Sequence, residues 1–499
     1  MPGPGPDRRQ RACLGVVMAA LLAGCTQGPD FTPPAPPADA GYTAEPLAPE
    51  TAAATGAGGA AQHFQPGADI AADWWRLYQS PDLDAVIKAA LDGSPSLAAA
   101  RATLRQAHQA VVAANGALLP QVNATASIAR EKVSLIQFGE QQSVPAFTLY
   151  SVGADVQYAL DIFGAERRTV EAQAAQEEVQ RDELSAAYLT LTGNAVGTAV
   201  TIAATSEEMR AVDDIIGADE QNLKLLDLSV RGGRIGAESP EYLSAATQLA
   251  NDRNLLPPLR QRLDQAGHAL AALTGRGPAG WTAPAFDFTA LSLPTALPVS
   301  LPAALVNQRP DILAASAQLH AASAEIGVAA AHLLPDVTLS AAFSYNALSP
   351  DKLFSPVGIL NDVAGQVAAP LFHGGTLTAQ KRAAEAGYDV AEAQYRQIVL
   401  DALRQVADVL RGLDHDATLT QGEERAVASA QRSLDSARRS LSAGASGYTQ
   451  VLDATRQYQE ARIGYVRAVA QRYQDTAQLF VALGGGWWHA PDIETESKS

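Results

Sequence analysis

Few side chains in this chain of 499 residues are spaced for chemistry. The two cysteines, Cys13 and Cys25, both fall near the start, so they support neither a disulfide framework nor a thiolate zinc site. The histidines are scattered. His108, His320, His332 and His373 each stand apart from any second group of ligands and read as satisfied or solvent-facing. No Gly-x-Ser-x-Gly elbow occurs. Gly374-Gly375 lacks the Lys-Ser/Thr ending of a phosphate loop and reads as a turn. Trp74-Trp75 and Trp487-Trp488 suit packing better than ligand binding. What remains is a thiol placed for modification, Cys25; charge pairs three residues apart on a helical face also occur, Asp453 and Arg456 among them. Taken alone, such a pair is a solvated ion pair worth roughly a few tenths of a kcal/mol.

The thiol is the sharper signal. Arg8, Arg9 and Arg11 form a basic region before the apolar stretch 12–23. That stretch is too short for a bilayer, which needs roughly 20 apolar residues, and suits the core of a signal peptide. Leu22-Ala23-Gly24-Cys25 follows at once and resembles a bacterial lipobox. Residues 1–24 are therefore expected to be a lipoprotein signal peptide, with lipid (palmitate among its chains) on Cys25. The next residue is Thr26 and not the Asp of inner-membrane retention, which implies sorting to the outer membrane. Three Arg and one Asp leave with the signal peptide, so the net charge moves from -17 to about -19. This acidity argues against a nucleic-acid partner. With lipid on the one remaining cysteine, the lack of a disulfide in an oxidising compartment follows. Residues 25–67 carry runs such as Pro33-Pro34-Ala35-Pro36-Pro37 and are expected to form a lipidated N-terminal tether, extended or disordered.

The chain is 47% hydrophobic but only 6% aromatic, a balance that suits long, closely packed helices. It is also written twice. With Pro95 placed on Pro310, residues 93–122 lie over 308–337 without a gap, and both copies carry Leu-Leu-Pro after an Ala-rich helical run. Ala272-Leu273-Thr274-Gly275 likewise lies over Ala482-Leu483-Gly484-Gly485. A unit of about 210 residues is too long for a solenoid and indicates a duplicated half-structure.

After each Leu-Leu-Pro the period changes from helix to strand. Val122, Ala124, Ala126 and Ile128 alternate with polar residues, as do Val337, Leu339, Ala341, Phe343 and Tyr345. A second strand follows in each half, through Tyr150–Tyr158 and from Val363 to Leu371. Such runs fit transmembrane barrel strands or a half-buried soluble sheet, and the lipobox favours the barrel. Four strands cannot close a barrel, which needs about eight, and an open edge is not tolerated in lipid. Several chains must then share one barrel of eight, twelve or sixteen strands. Long proline-free stretches follow each strand pair. They read as helical hairpins that turn at Gly232, Gly233 and Gly236 and at Gly444 and Gly447. Their length suggests coiled-coil hairpins projecting from the barrel.

These residues resemble the outer-membrane factor family, the TolC-like and OprM-like channels and NodT-type efflux lipoproteins. The resemblance covers nearly the whole mature chain. It rests on five ordered motifs: CTQGPDFTPP (25–34), WWRLYQSPDLDAVIKAAL (74–91), LPPLRQRLDQAGHALAALTG (256–275), RPDILAASAQLHAASAEIGVAAAHLLPDVTLSAAFS (309–344) and ALGGGWW (482–488). It implies a mainly α fold with a membrane β-barrel portion. Four strands per chain would enter a twelve-stranded trimeric barrel above a long α-helical coiled-coil tunnel in the periplasm. The expected layout is a first repeat over 68–285 (strand pair about 120–160, hairpin 164–275) and a second over 286–488 (strand pair about 335–372, hairpin 375–483). A polar tail, 489–499, ends the chain.

The function implied is the passive exit duct of a tripartite efflux pump for small molecules or drugs, with no enzymatic activity and no cofactor beyond the covalent lipid on Cys25. Its partners would be two further copies of itself, a periplasmic adaptor (membrane fusion) protein, an inner-membrane RND-type transporter and outer-membrane lipid. Tyr448, Asp453 and Arg456 match family positions that close the pore at its periplasmic end. Thr449 stands where OprM-like members tend to have a hydrophobic gate Leu, and Gln450 where TolC-like members have a second Asp. Both departures imply a gate with one acidic ring that opens more easily. Glu241 lies near the equivalent turn of the first half. Two other readings are a duct for type I protein secretion, which would use the same fold, and a periplasmic enzyme or binding lipoprotein. The latter needs converging polar groups in a pocket.

Overall fold

The computed structural model describes residues 26–132 and 144–489. The expected signal peptide, Cys25 and all but the first residue of the expected tail lie outside the described residues. In chain order the elements are β1 (His63–Pro66), α1 (Pro81–Gly93), α2 (Pro95–Ala117), β2 (Gln121–Glu131), β3 (Phe147–Leu160), α3 (Ala165–Arg231), α4 (Pro240–Arg253), α5 (Leu256–Leu273), β4 (Ala296–Val299), α6 (Pro310–Ala331), β5 (Asp336–Ala347), β6 (Ile359–Ala368), α7 (Thr376–Ser442) and α8 (Tyr448–Ala482). Two compact units emerge. Of the described residues, one unit holds the main sheet, with 26–34, 103–132, 144–180 and 315–395; the other holds 35–102, 181–314 and 396–489.

Pro120 and Pro335 follow the two Ala-rich helices and cannot extend them, since proline supplies no N–H and pushes its predecessor into an extended conformation. The chain leaves each as a strand. The four strands form an antiparallel sheet in the order β2-β3-β5-β6. Its register carries the alternation across every strand. Val122, Val156, Ala341 and Val363 form one row, and Asn123, Asp155, Ala342 and Asp362 the next. One face is therefore apolar and the other polar, where Asn123 Nδ2 donates to Asp155 Oδ2 at 3.2 Å. The apolar face is uncovered among the described residues, with Val363 85% exposed. β6 stops at Ala368, before Pro370, so Leu371 falls outside the strand expected to include it. No helix among the described residues is long and apolar enough to cross a membrane.

The repeat is plain in the helices. Both α3 and α7 have 67 residues, which at about 1.5 Å per residue is roughly 100 Å. Both end the same way. Gly233 (φ +68°) and Gly444 (φ +69°) take the left-handed conformation that a side chain resists. Arg234 N then bonds to Ser229 O, and Ala445 N to Ser440 O, both at 2.9 Å. This is the six-to-one closure of a helix C-terminus.

The returning arms differ. In the second half α8 runs 35 residues unbroken. In the first half, expected as a single hairpin over 164–275, the arm is two helices of 14 and 18 residues, α4 and α5. Pro257 and Pro258 lack the N–H groups that the carbonyls of Arg253 and Asn254 would need, which interrupts the ladder there.

In the unit that holds these arms, Trp74 stacks on Phe480 at 5.1 Å. Tyr78 donates to the carbonyl of Tyr473, and Tyr473 in turn to that of Leu291. Full burial of such a ring contributes about 2–3 kcal/mol. β1 pairs in parallel with β4. Residues 51–62, expected to belong to a loose tether, are instead bonded in place. The Arg472 guanidinium is fully buried and donates to Thr51 Oγ1, Gly58 O, Ala60 O and Gln62 Oε1 at 2.7–3.1 Å.

Candidate gate and anchor sites

The hairpin turns present the residues expected at a gate. Tyr448 opens α8, which has no side-chain cap. Apolar positions Val451 and Ala454 pack on Leu434 and Ala437 of α7. That burial turns Thr449, Gln450, Asp453 and Arg456 together onto the exposed face of the same helix. Arg456 Nη1 lies 3.9 Å from Asp453 Oδ1, with the side chains 55% and 60% exposed. At that exposure within one chain the pair adds little to stability. Glu241 is exposed in the first turn of α4, where the helix dipole favours a carboxylate, and no hydrogen bond or ion pair among the described residues joins it to the others.

Tyr448 alone among these residues turns inward. Its Oη is buried and finds no hydrogen-bond partner among the described residues. Burial, with the charge of Asp219 behind it, pushes its pKa up to about 12. Asp219 is a residue that inspection of motifs missed. It is 3% exposed on α3 and faces Asp252 of α4, which is 5% exposed. Gln248 Nε2 donates to both Asp252 oxygens, at 3.1 and 2.9 Å. Neither Asp219 oxygen accepts a bond from an ordinary donor among the described residues. Desolvation first, then the Asp252 carboxyl, raises the Asp219 pKa to about 7. A signal was present. Val212, Ile216, Asp219 and Leu223 share one helical stripe of α3, as do Ala245, Leu249 and Asp252 of α4, and the apolar members of each are buried or packed on the buried cluster.

Cys25 lies outside the described residues, but the residues after it are held in the unit that contains the sheet. Gln27 N bonds to Phe163 O at 3.2 Å. Arg168, almost wholly buried, donates to Gln27 O at 3.0 Å, Asp30 Oδ1 at 2.9 Å and Glu171 Oε2 at 2.7 Å. Gly28 has φ +92°, and a Cβ there would stand 2.4 Å from Gly327 Cα, so two glycines permit the approach. Phe31 stacks on His320 at 4.5 Å, and His320 Nε2 meets Glu171 Oε1 at 3.0 Å. Sequence motifs did not point to Arg168, since an arginine in the first turn of a helix looks solvated.

The described residues contain no group of three or more His, Cys, Asp or Glu placed to hold a metal ion. A cavity of about 740 Å³ opens among Ala186, Gly193, Gly197, Arg309 and Gln405. Its one buried cation, Arg309, is closed on Asp311, Gln405 and the Ala482 carbonyl. No nucleophile with an adjacent base lines it.

The chain is similar to known proteins over most of its length. A family model described as outer membrane efflux protein matches residues 86–276 and 301–485, one stretch in each repeat. The chain is similar to the pyoverdine export outer membrane protein OpmQ of Pseudomonas aeruginosa, with 29% identity over 424 residues, 83% of this chain and 87% of the relative. It is 27% identical to outer membrane protein OprJ of the same species over 95% of both chains. The solved structure of the outer-membrane channel OprN superposes with a TM-score of 0.82 at 25% identity, over 93% of this chain and all of the other.

Proposed function

Since the chain belongs to the outer membrane efflux protein family, we propose that it forms, as a homotrimer, the exit duct of a tripartite efflux pump for small molecules. It is an outer-membrane channel of TolC-like fold that extends into the periplasm, and it is not an enzyme. The observation that carries the finer reading is the open four-stranded sheet. One face is an apolar row fit for lipid, the other is polar, and β2 and β6 each keep an unpaired edge among the described residues. Unpaired backbone groups are not tolerated in hydrocarbon. Three copies, with β6 of one paired to β2 of the next, leave no edge and make twelve strands. An adaptor in the periplasm and an RND-type transporter in the inner membrane complete the pump. Lipid on Cys25 anchors the chain to the outer membrane.

In the trimer, three-fold symmetry turns each exposed residue of the α8 face into a ring. Three Asp453 carboxylates concentrate cations and resist anions, while Arg456 pairs with them to hold the constriction. Tyr448, Thr449, Gln450 and Glu241 shape the same mouth. Thr449 and Gln450 supply neither an apolar plug nor a second acidic ring. Asp453→Ala is expected to raise single-channel conductance in planar bilayers and lower cation selectivity. Unchanged conductance and selectivity would overturn the gate. Heat-modifiable trimer bands from outer-membrane fractions test the assembly, and loss of metabolic lipid label in Cys25→Ser tests the anchor.

A further inference from the structure

We propose that Asp219 and Asp252 form a proton-held pin that fastens α4 to α3 beside the start of α8, and that loss of the proton releases α4 and eases the constriction. The link to the pore rests on the gate reading above; the pin itself does not.

The pin follows from where the two carboxyls are. Both sit at positions that the spacing of their helices assigns to the apolar face, beside the cluster of Val212, Ile216, Leu249, Leu256 and Leu259. Two carboxylates pressed together out of water cannot both stay ionised, because each is desolvated and each repels the other. One proton shared between them turns repulsion into a hydrogen bond. It also gives a partner to one of the two Asp219 oxygens that no ordinary donor reaches among the described residues.

Among the described residues, the groups that face Asp219 bring it no paired cation, which leaves a proton as its neutraliser. From α4 come Asp252 and its donor Gln248; from α8 comes Tyr448, which stays neutral; α5 contributes Leu256 and Leu259. Three cations borne by these elements are engaged with other carboxylates. Arg253 pairs with Glu220 at 2.6 Å, Arg462 with Asp214 at 2.9 Å and Arg231 with Asp227 at 2.8 Å.

The fold supplies a part that can move. α4 is only 14 residues long and stops at Arg253, directly after Asp252, so α5 does not extend it. A helix of that length is marginal alone and depends on its packing. It touches both α5 and α8. Because the native pair holds a proton that an ordinary Asp gives up near pH 4, the pin is intact in acid. It weakens as pH rises through about 7. The unbroken α8 of the second half has no equivalent joint.

Hydrogen exchange of the full-length solubilised protein, corrected for the chemical exchange rate, tests the pin. Protection of α4 in the wild type is expected to fall roughly tenfold between about pH 6 and about pH 8. In Asp219→Asn the amide carries no charge and still donates to Asp252, so protection should be high and independent of pH. Asp252→Asn should behave alike and serves as the second variant. Protection of α4 that ignores pH in the wild type, or that follows pH equally in both variants, overturns the pin. Single-channel conductance over the same range tests the link: it should rise with pH in the wild type and stay flat in Asp219→Asn. A pH-dependent α4 with pH-independent conductance overturns the link to the gate while upholding the pin.

Discussion

Arg262 and Arg472 occupy the same place in the two repeats, each thirteen residues before the glycine of its closing motif, Gly275 or Gly485. Their environments are opposite. Arg472 is fully buried with four oxygens as acceptors. The Arg262 side chain is 53% exposed and only approaches Glu208, at 3.7 Å. A guanidinium can be buried only where its donors are met. Residues 51–62 meet them for Arg472, and that segment exists once in the chain. Duplication therefore set the position, while the unduplicated strap decided what the residue does. The returning arms repeat the lesson: α8 is whole, and its counterpart is cut by Pro257 and Pro258.

The largest test of this contrast is a proline in the unbroken arm. Gln471→Pro removes a ladder bond from α8 and should cost about 3 kcal/mol or more, read as a lower unfolding temperature by far-UV circular dichroism of the solubilised protein. Pro257→Ala with Pro258→Ala, at a break already made, should change it by less than about 1 kcal/mol. Next comes Arg472→Ala, which orphans several buried acceptors and should cost about 2–3 kcal/mol; Arg262→Ala should fall within about 0.5 kcal/mol. Equal effects of the two arginine changes would break the comparison.

A smaller effect concerns charge. Asp416 has a buried oxygen without a partner. Burial, then Asp475, pushes its pKa up to about 7, with Arg472 opposing. The native state thus keeps a proton that the unfolded chain loses, and stability falls as pH climbs from about 4 to about 7. Asp416→Asn should flatten that fall and stabilise by about 1–2 kcal/mol above pH 7, allowing for partial exposure. Unfolding temperatures across pH would show it. The smallest change is Tyr448→Phe. It deletes a buried hydroxyl with no hydrogen-bond partner among the described residues and should leave stability within about 1 kcal/mol, on the stabilising side.

Much of the sheet was legible. Alternation through Val122–Ile128 and Val337–Tyr345 named the apolar face, and the register aligned those residues in rows. Both glycine turns were legible too, because Gly233 and Gly444 adopt a φ that other residues resist. The break before Pro257 is legible in part, since two adjacent prolines withhold the N–H groups a helix needs, within a motif that the family resemblance places at the end of the first half. The tie between Gly28 and Gly327 was not, because the two are 299 residues apart and neither lies in a turn signal. Asp219 and Asp252 were hidden among polar neighbours, and only the helical stripes through Val212 and Ile216 for the one and Ala245 and Leu249 for the other mark them as inward.

Local order was a matter of sequence alone: helix and strand periods, proline stops, glycine turns and the doubling of the plan all act over a few residues, where backbone sterics and side-chain spacing suffice. Tertiary structure decided which polar groups lost their water. Arg472 met acceptors from a strap some 410 residues away, Arg168 met the start of the described chain, and Asp219 met another carboxyl. Desolvation depends on what the rest of the chain brings near, and no local pattern carries that information.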